Sequence, residues 1–242
     1  MSTAIVTGAG GGIGAVVARR LVAEGFDVVG WDRAFGPEDP DEGFVRREVD
    51  VVDEHQVVAA VDAVEGEVGL LVGCAAVLGP APLLDLDLDA WDRAMRVNVG
   101  GTFLVGRTVA RRMAAHGGGA IVNVGSINGT VVVPNAGAYT ASKAAVLRLT
   151  EQMALEWAPL GIRVNAVSPG FIDAGMNAPI VEVPEIRRAR EQQVPLGRLG
   201  LADDIADAVV YLGTARSSYV TGQNVVVDGG AIHTAFASLR RS

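Results

Sequence analysis

Short apolar runs rich in β-branched residues alternate along the chain with longer stretches of helical periodicity. The apolar runs cover residues 3–7, 27–30, 44–49, 69–74, 120–124, 163–167 and 224–227, and the helical stretches cover 13–23, 54–64, 90–115, 138–157 and 202–212. Strands that alternate with helices of this length form βαβ units. Runs that are nearly continuous in apolar residues indicate strands buried on both faces of a parallel sheet. The pattern therefore predicts an α/β fold, doubly wound, with a mostly parallel sheet of about seven strands and helices on both faces.

The same pattern gives no reason to divide the chain. Its 242 residues are 50% apolar, which is enough to bury one large core, and no linker, repeat or low-complexity tract interrupts them. We expect a single domain over residues 1–242. Residues 174–200 differ, because they carry three prolines and the basic run Arg187, Arg188 and Arg190. Two interpretations are open for this segment: a substrate lid, or a solvated surface helix.

The charge and the cysteine content exclude some partners. The formal net charge is −8, and an acidic protein repels phosphate backbones and anionic lipid headgroups. We therefore expect neither nucleic acid nor a membrane as a partner. Cys74 is the single cysteine, so an internal disulfide is impossible and a reducing, cytoplasmic location is expected. The three histidines lie far apart without metal-ligand spacing, and no metal site is predicted.

A glycine-rich loop, TGAGGGIG at residues 7–14, lies between the first predicted strand and the first helix. Glycines let the backbone approach a pyrophosphate closely, and the helix N-terminus offers free N–H groups. Asp32 ends the second strand, eighteen residues after the loop. This order is typical of a Rossmann-type dinucleotide site. The loop residues expected to contact the cofactor are Gly8, Gly10, Gly12, Ile13 and Gly14.

The residues that follow the second and third strands bear on the choice of cofactor. The Asp32 carboxylate would accept hydrogen bonds from the adenosine ribose and would repel a 2′-phosphate, so NAD is expected. Arg33, the next residue, is the one feature that favours NADP. Asp50 follows the third strand, and two interpretations stay open for it: a contact to the adenine edge, or the N-cap of the next helix.

Tyr139 and Lys143 are four residues apart on a predicted helix and therefore share one face. A free tyrosine titrates near 10, too high for a base at neutral pH. An ammonium at ~4 Å and an effective dielectric of ~20 would lower the tyrosine pKa by roughly 3 units. We therefore expect Tyr139 to be a general acid/base. Ser126 ends the preceding strand, where its hydroxyl could hold a substrate oxygen; no Ser/His pairing supports a hydrolase.

Taken in order, residues 7–14, Asn98, Ser126 and the Tyr139-x-x-x-Lys143 motif resemble the short-chain dehydrogenase/reductase signature. The resemblance runs from about residue 3 to residue 230 and includes RVNAVSPG and YVTGQNVVVDGG. It implies that Asn98 completes the catalytic group by lining a water relay to Lys143, and that the protein is a homotetramer packed through its long helices and last strand. Further cofactor contacts are implied for Val51, Cys74, Ala75, Ala76, Tyr139, Lys143, Pro169, Gly170 and Ile172, besides Arg33 and Asp50.

The chain departs from the family pattern at three places. The usual Asn-Asn-Ala-Gly after the fourth strand is Gly-Cys-Ala-Ala at residues 73–76. A threonine that the family places on the nicotinamide carboxamide is Ala174 here, a loss of one hydrogen bond unless Asp173 or backbone substitutes. Gly11 occupies the loop position where NADP-preferring members often carry a basic residue, which favours NAD.

The expected reaction is hydride transfer between NAD(H) and a secondary alcohol/ketone pair on a hydrophobic small molecule, with a cyclic diol as one candidate. Two alternatives stay open. One is an NADPH-dependent ketoreductase of the 3-ketoacyl or polyketide kind, which Asp32 opposes. The other is a catalytically silent dinucleotide sensor, which would not need to keep the serine, tyrosine and lysine together. The residues expected to line the substrate pocket are Leu78, Asn128, Val133, Phe171, Met176 and Ile180.

Overall fold

A computed structural model describes residues 2–37, 43–175 and 182–236 of the chain. The strands are β1 (Thr3–Thr7), β2 (Asp27–Asp32), β3 (Val45–Glu48), β4 (Val68–Gly73), β5 (Gly119–Val124), β6 (Ile162–Pro169) and β7 (Asn224–Val227). The α-helices are α1 (Gly12–Ala23), α2 (Glu54–Asp62), α3 (Leu88–Met95), α4 (Thr102–Ala115), α5 (Tyr139–Trp157), α6 (Pro184–Gln193) and α7 (Ala202–Gly213). The alternation read from the sequence is therefore the order of elements in the fold.

The seven strands form one sheet in the order β3-β2-β1-β4-β5-β6-β7, and every neighbouring pair is parallel. The order reverses between β1 and β4, where the chain crosses from one half of the sheet to the other. In open α/β sheets, ligands bind at such a reversal, outside the carboxyl ends of the strands. The prediction of a doubly wound sheet of about seven strands is confirmed.

Two apolar cores cover the two faces of the sheet, and the period of two along each strand decides which residue enters which core. In β1, Ala4 and Val6 belong to a core with α1 and α7, which contribute Val17, Leu21, Ile205 and Val209. Ile5, between them, points to the other core, where α2 and α4 contribute Val57 and Val109. Apolar residues at every position of β1 are thus explained by burial on both faces.

The predicted helical stretch over residues 90–115 is confirmed, but it contains a π-helical segment that the periodicity did not indicate. The structure has α3, then a π-helical segment at Arg96–Gly101, then α4. A side chain at Gly101 would lie 2.8 Å from the Cγ2 of Val51, so this turn passes close to the loop after β3. The side chain of Asn98 is drawn toward the backbone of Val77, to which it is hydrogen-bonded. Wider turns of this kind are frequent where a helix carries a functional side chain.

Within the described part of the chain, no helix combines the length and the apolar character that a bilayer crossing needs.

Candidate active site

A cavity of about 630 Å³ opens at the carboxyl ends of β1, β2, β4, β5 and β6. It is lined by nearly all residues that the sequence assigned to cofactor and catalysis. These are Gly8, Gly12, Ile13, Gly14, Asp32, Arg33, Asp50, Val51, Cys74, Ala75, Ala76, Ser126, Tyr139, Lys143, Pro169, Gly170 and Ile172. Gly10 and Asn98 do not line it. One cavity therefore joins residues that are up to 164 positions apart between Gly8 and Ile172.

The glycine loop forms a close turn between β1 and α1. A side chain at Gly14 would lie 2.1 Å from the carbonyl oxygen of Gly8, and one at Gly8, whose φ is +71°, would lie 2.8 Å from the amide nitrogen of Ala75. Only glycine fits these two positions without displacing backbone. Gly11, which precedes α1, faces open space, and no side chain caps the first turn of the helix. The free N–H groups of α1 are therefore left for a ligand in the cavity.

Gly12 contributes a second close approach. A Cβ built on it would lie 2.8 Å from the Cα of Gly175, and both glycines have positive φ, +55° and +57°. The loop after β1 thus touches the backbone that leads from β6 toward α6.

Asp32 is oriented by the loop that it faces. One carboxylate oxygen accepts a hydrogen bond from the amide of Gly10 at 2.9 Å, and the other accepts one from the amide of Arg33 at 2.7 Å. Gly10 thus acts through Asp32 and not by lining the cavity. A carboxylate has capacity for further donors beyond these two, so Asp32 can still accept from ribose hydroxyls.

Asp50 lines the cavity but does not cap α2. The N-cap is Asp53, whose carboxylate accepts from the amide of Gln56 at 3.1 Å. Asp50 instead accepts from the amide of Val52 at 3.2 Å, within the turn after β3. The N-cap interpretation of Asp50 is therefore wrong, because α2 begins at Glu54 and its N-cap lies three residues after Asp50.

The loop after β4 is fixed to β1 by a threonine. The amides of Cys74 and Ala75 donate to the hydroxyl of Thr7 at 3.1 and 3.2 Å. The loop is therefore held through backbone groups, which accommodates the replacement of asparagines by glycine and cysteine at 73 and 74. Burial raises the pKa of the Cys74 thiol to about 12, against a smaller opposing effect of Lys143, so the group stays a neutral thiol.

Ser126 and Tyr139 both line the cavity. Ser126 follows β5, and its hydroxyl accepts from the amide of Asn128 at 3.1 Å, which fixes its position at the start of a 3₁₀ turn. Tyr139 is the first residue of α5. Burial raises the pKa of the Tyr139 phenol, and its hydrogen bond with Ser126 opposes that rise.

Lys143 lies one turn after Tyr139 and is 3% exposed. Its ammonium donates to the carbonyl of Val124 at 2.7 Å and lies 5.7 Å from the centre of the Tyr139 ring. Burial lowers the pKa of Lys143 to about 8, with a smaller opposing effect from Cys74. The expected lowering of the Tyr139 pKa is wrong, because burial of the phenol raises that pKa and outweighs the opposing hydrogen bond with Ser126.

Asn98 is buried beside the cavity. Its amide donates to the carbonyl of Val77 and to the hydroxyl of Ser142, at 3.0 and 2.9 Å, and its carbonyl accepts from the amide of Val77 at 2.8 Å. Ser142 in turn donates to the carbonyl of Tyr139 at 2.8 Å. Asn98 therefore links the loop after β4 to the first turn of α5, and its part in a water relay stays a prediction.

The residues expected to contact the substrate are partly described. Leu78, Asn128, Val133 and Phe171 line the cavity, whereas Met176 and Ile180 lie outside the described residues. Ala174 lines the cavity as expected, but Asp173 accepts from Arg187 at 2.6 Å, so its carboxylate is already engaged. Sequence reasoning missed Arg190 of α6, which also lines the cavity. Its only signal was membership in the basic run.

Comparison with known proteins gives one consistent result. The profile of the family described as enoyl-(acyl carrier protein) reductase matches residues 8–232. The cis-4-hydroxycyclohexanecarboxylate dehydrogenase of Sinomonas cyclohexanicum is 40% identical over 240 residues, 94% of this chain and 95% of that protein. The galactitol 2-dehydrogenase (L-tagatose-forming) of Cereibacter sphaeroides is 38% identical over 237 residues, 94% of this chain and 93% of that protein.

Solved structures agree with these relatives. A short-chain type dehydrogenase/reductase from Mycobacterium ulcerans superimposes with a TM-score of 0.89 at 32% identity, covering 98% of this chain and 93% of that one. A gluconate 5-dehydrogenase from Burkholderia cenocepacia in complex with NADP and tartrate gives 0.87 at 34% identity, covering 96% of this chain and 95% of that one. The chain is an oxidoreductase that belongs to the short-chain dehydrogenase/reductase family.

Proposed function

We propose that this protein interconverts a secondary alcohol and its ketone with NAD(H) as the hydride carrier. The observation that carries the proposal is that Ser126, Tyr139 and Lys143 line the same cavity as the glycine loop. The relatives that match over nearly the whole chain are named as alcohol and polyol dehydrogenases, which supports the same class of reaction.

The cavity fits a dinucleotide. Gly8 and Gly14 occupy positions that a Cβ would block, and the uncapped N-terminus of α1 offers N–H groups to a pyrophosphate. Asp32 would accept from the ribose of the adenosine half, and Pro169 and Gly170 would flank the nicotinamide half. The bound nicotinamide supplies the hydride acceptor or donor. We take NAD as the preferred form because the Asp32 carboxylate would repel a 2′-phosphate.

The proton is handled by the phenol of Tyr139. Since its pKa is raised, Tyr139 is protonated at neutral pH, the form that donates to a carbonyl oxygen. Alcohol oxidation needs the phenolate and should therefore gain as the pH rises. Ser126 would hold the substrate oxygen beside the phenol, and Lys143 supplies positive charge one helical turn away. Asn98 acts as a positioning residue through Val77 and Ser142.

The experiment that tests this assignment is Tyr139→Phe, which keeps the ring and removes the proton. We expect kcat for alcohol oxidation with NAD⁺ to fall by about 100-fold or more, since a positioned general acid/base contributes about that factor. NADH affinity, measured by fluorescence titration, should stay within about threefold. Tyr219→Phe is the matched control, because Tyr219 is fully exposed and does not line the cavity. Turnover within a few-fold of the parent enzyme would refute the role of Tyr139.

A homotetrameric assembly and a cytoplasmic location complete the proposal. Exposed apolar side chains on α4 and α5 support the first. A single cysteine held as a thiol is compatible with the second.

A further inference from the structure

Arg190 contributes a cation to the cavity that no described residue neutralises. It lies in the last turn of α6, and its guanidinium carbon is 5.3 Å from the centre of the Phe171 ring. Both residues line the cavity. The Nη1 atom of Arg190 is shielded from solvent and has no hydrogen-bond partner among the described residues. A buried charged donor without an acceptor is costly, and such a group calls for a ligand.

The neighbouring arginines of α6 do not share this condition. Arg187 donates to Asp173 at 2.6 Å and to Glu191 at 3.1 Å, which fixes the helix to the segment after β6. Arg188 is exposed to solvent. The unpartnered donor of Arg190 is therefore a property of its place in the cavity and not of the basic run as a whole.

Arg190 also lies away from the adenosine end of the cavity. Phe171, on which its guanidinium stacks, follows β6, whereas Asp32 ends β2, four strands away in the sheet, and Arg33 comes directly after it. At about 4.8 Å per strand the two ends are roughly 19 Å apart. Ser126 follows β5, next to β6. Arg190 is thus on the side where the reacting oxygen would be held.

We propose that Arg190 binds a carboxylate of the substrate, so that the protein acts on secondary alcohols and ketones that carry a carboxylate group. This inference rests on the function proposed above. A guanidinium stacked on an aromatic ring keeps its N–H edge free for the two oxygens of a carboxylate. A phosphate carries more negative charge and would require a second cation beside Arg190. Two other cations line the described cavity: Arg33 lies at the adenosine end, and Lys143 donates to the carbonyl of Val124.

The test compares a hydroxycycloalkane carboxylate, its methyl ester and the unsubstituted cycloalkanol as substrates with NAD⁺. We expect Arg190→Gln to lower kcat/KM for the carboxylate by about 100-fold, mainly through KM, and to change the ester by less than about threefold. Arg190→Lys should recover part of the loss. Arg188→Gln, on the same helix but exposed, should leave all three substrates unchanged.

Equal losses for the carboxylate and the ester would overturn the proposal, because they would indicate a structural role. A matching loss of NADH affinity in Arg190→Gln would overturn it as well, since Arg190 would then belong to the cofactor. Binding of cyclohexanecarboxylate, which has no hydroxyl to oxidise, is measured calorimetrically with NADH present and does not depend on turnover. We expect Arg190→Gln to weaken it at least about tenfold, and equal affinity in the two proteins would overturn the proposal even if no alcohol were oxidised.

Discussion

Lys143 is the only lysine of the chain, since the other cationic side chains of the sequence are all arginine. It is also buried, and burial opposes its charge. The carbonyl of Val124 is the acceptor that holds it in place. A group kept in such a position at a cost in stability is typical of an active site. At the scale of one residue, the pKa values of Tyr139 and Lys143 therefore depend on burial as well as on charge, whereas the spacing of the two residues speaks only to charge.

Because burial opposes the charge of Lys143, we expect this side chain to make the free energy of unfolding depend on pH. Comparing the parent protein with Lys143→Met separates its contribution from that of the other groups. The pKa of Lys143 falls from 10.5 to about 8 on folding. Below pH 8 both states hold the proton, whereas between pH 8 and 10.5 the unfolded chain holds a proton that the folded protein has lost. Its contribution to the free energy of unfolding therefore rises with pH across that window, by roughly 3 kcal/mol. Urea unfolding of both proteins at pH 7, 8.5 and 10 measures it, and a difference that stays constant with pH would contradict the prediction.

A second prediction at this scale concerns Asp32 and the choice of cofactor. The repulsion between its carboxylate and a 2′-phosphate should favour NAD by about 2–4 kcal/mol, or about 30- to 1000-fold in kcat/KM. Asp32→Ser should narrow or reverse the ratio, because Arg33 would then act unopposed. Asp50→Ser is the matched control, since Asp50 lines the same cavity but follows β3. A parent enzyme that is faster with NADP⁺ would show that Arg33 governs the site.

The separate residues of the site were predictable from order along the chain, but their electrostatics were not. Gly8, Asp32 and Tyr139 meet at one edge because carboxyl ends of parallel strands share that edge, which follows from the fold class alone. The pKa of Tyr139 depends instead on how deeply its ring is buried, which the four-residue spacing between Tyr139 and Lys143 does not indicate. Arg190 was missed for a related reason: its relation to the cavity depends on where α6 packs, which no local pattern encodes.

At the scale of the elements, the π-helical segment between α3 and α4 shows what periodicity does not predict. The π-helical segment spans six residues, and over so short a stretch an apolar pattern does not separate a wider turn from an ordinary one. Two glycines, Gly100 and Gly101, weaken the helix there. The hydrogen bonds of Asn98 to Val77 join sequence positions 21 apart, and such a tertiary contact leaves no local signature.

The prediction at the scale of the elements is that the segment around α6 responds to bound ligands. None of the residues of α6 is fully buried, so it depends on few contacts, among them the ion pair of Arg187 with Asp173. We propose that it closes over the site, and its amide exchange should slow when cofactor and substrate are added together. Exchange in α2 should not change, since none of its residues lines the cavity. Equal exchange in α6 with and without ligands would favour the interpretation as a solvated surface helix.

At the scale of the whole molecule, the sheet and its two cores were predictable because the strands other than β3 are apolar at successive positions and each connection is long enough for a crossover. The oligomeric state does not follow from that pattern. It depends on apolar side chains left at the surface, and α5 presents Leu155, 79% exposed, while α4 presents Phe103, 44% exposed. A single exposed apolar residue is ordinary, but these lie on the two helices expected to pack between subunits.

We therefore expect sedimentation equilibrium to give four times the protomer mass. Leu155→Glu should shift the protein toward smaller species, because a carboxylate would be buried in the contact. Val45→Glu is the control, since Val45 is 57% exposed but lies on the edge strand β3, outside the predicted contact. A parent protein that sediments as a monomer would rule out the tetramer.

The contact between Gly12 and Gly175 joins the loop that faces the cofactor to the segment that leads to α6, so the binding of cofactor and of substrate should be coupled. The two backbones touch without intervening side chains, so a ligand that shifts the loop after β1 also shifts the start of the segment that leads to α6. Thermodynamic linkage makes this coupling reciprocal: whatever factor the dinucleotide contributes to substrate affinity, the substrate returns to the dinucleotide. The two ligands of such a site therefore share one coupled equilibrium, in which any change that the first makes to the affinity of the second is matched by an equal change in the other direction.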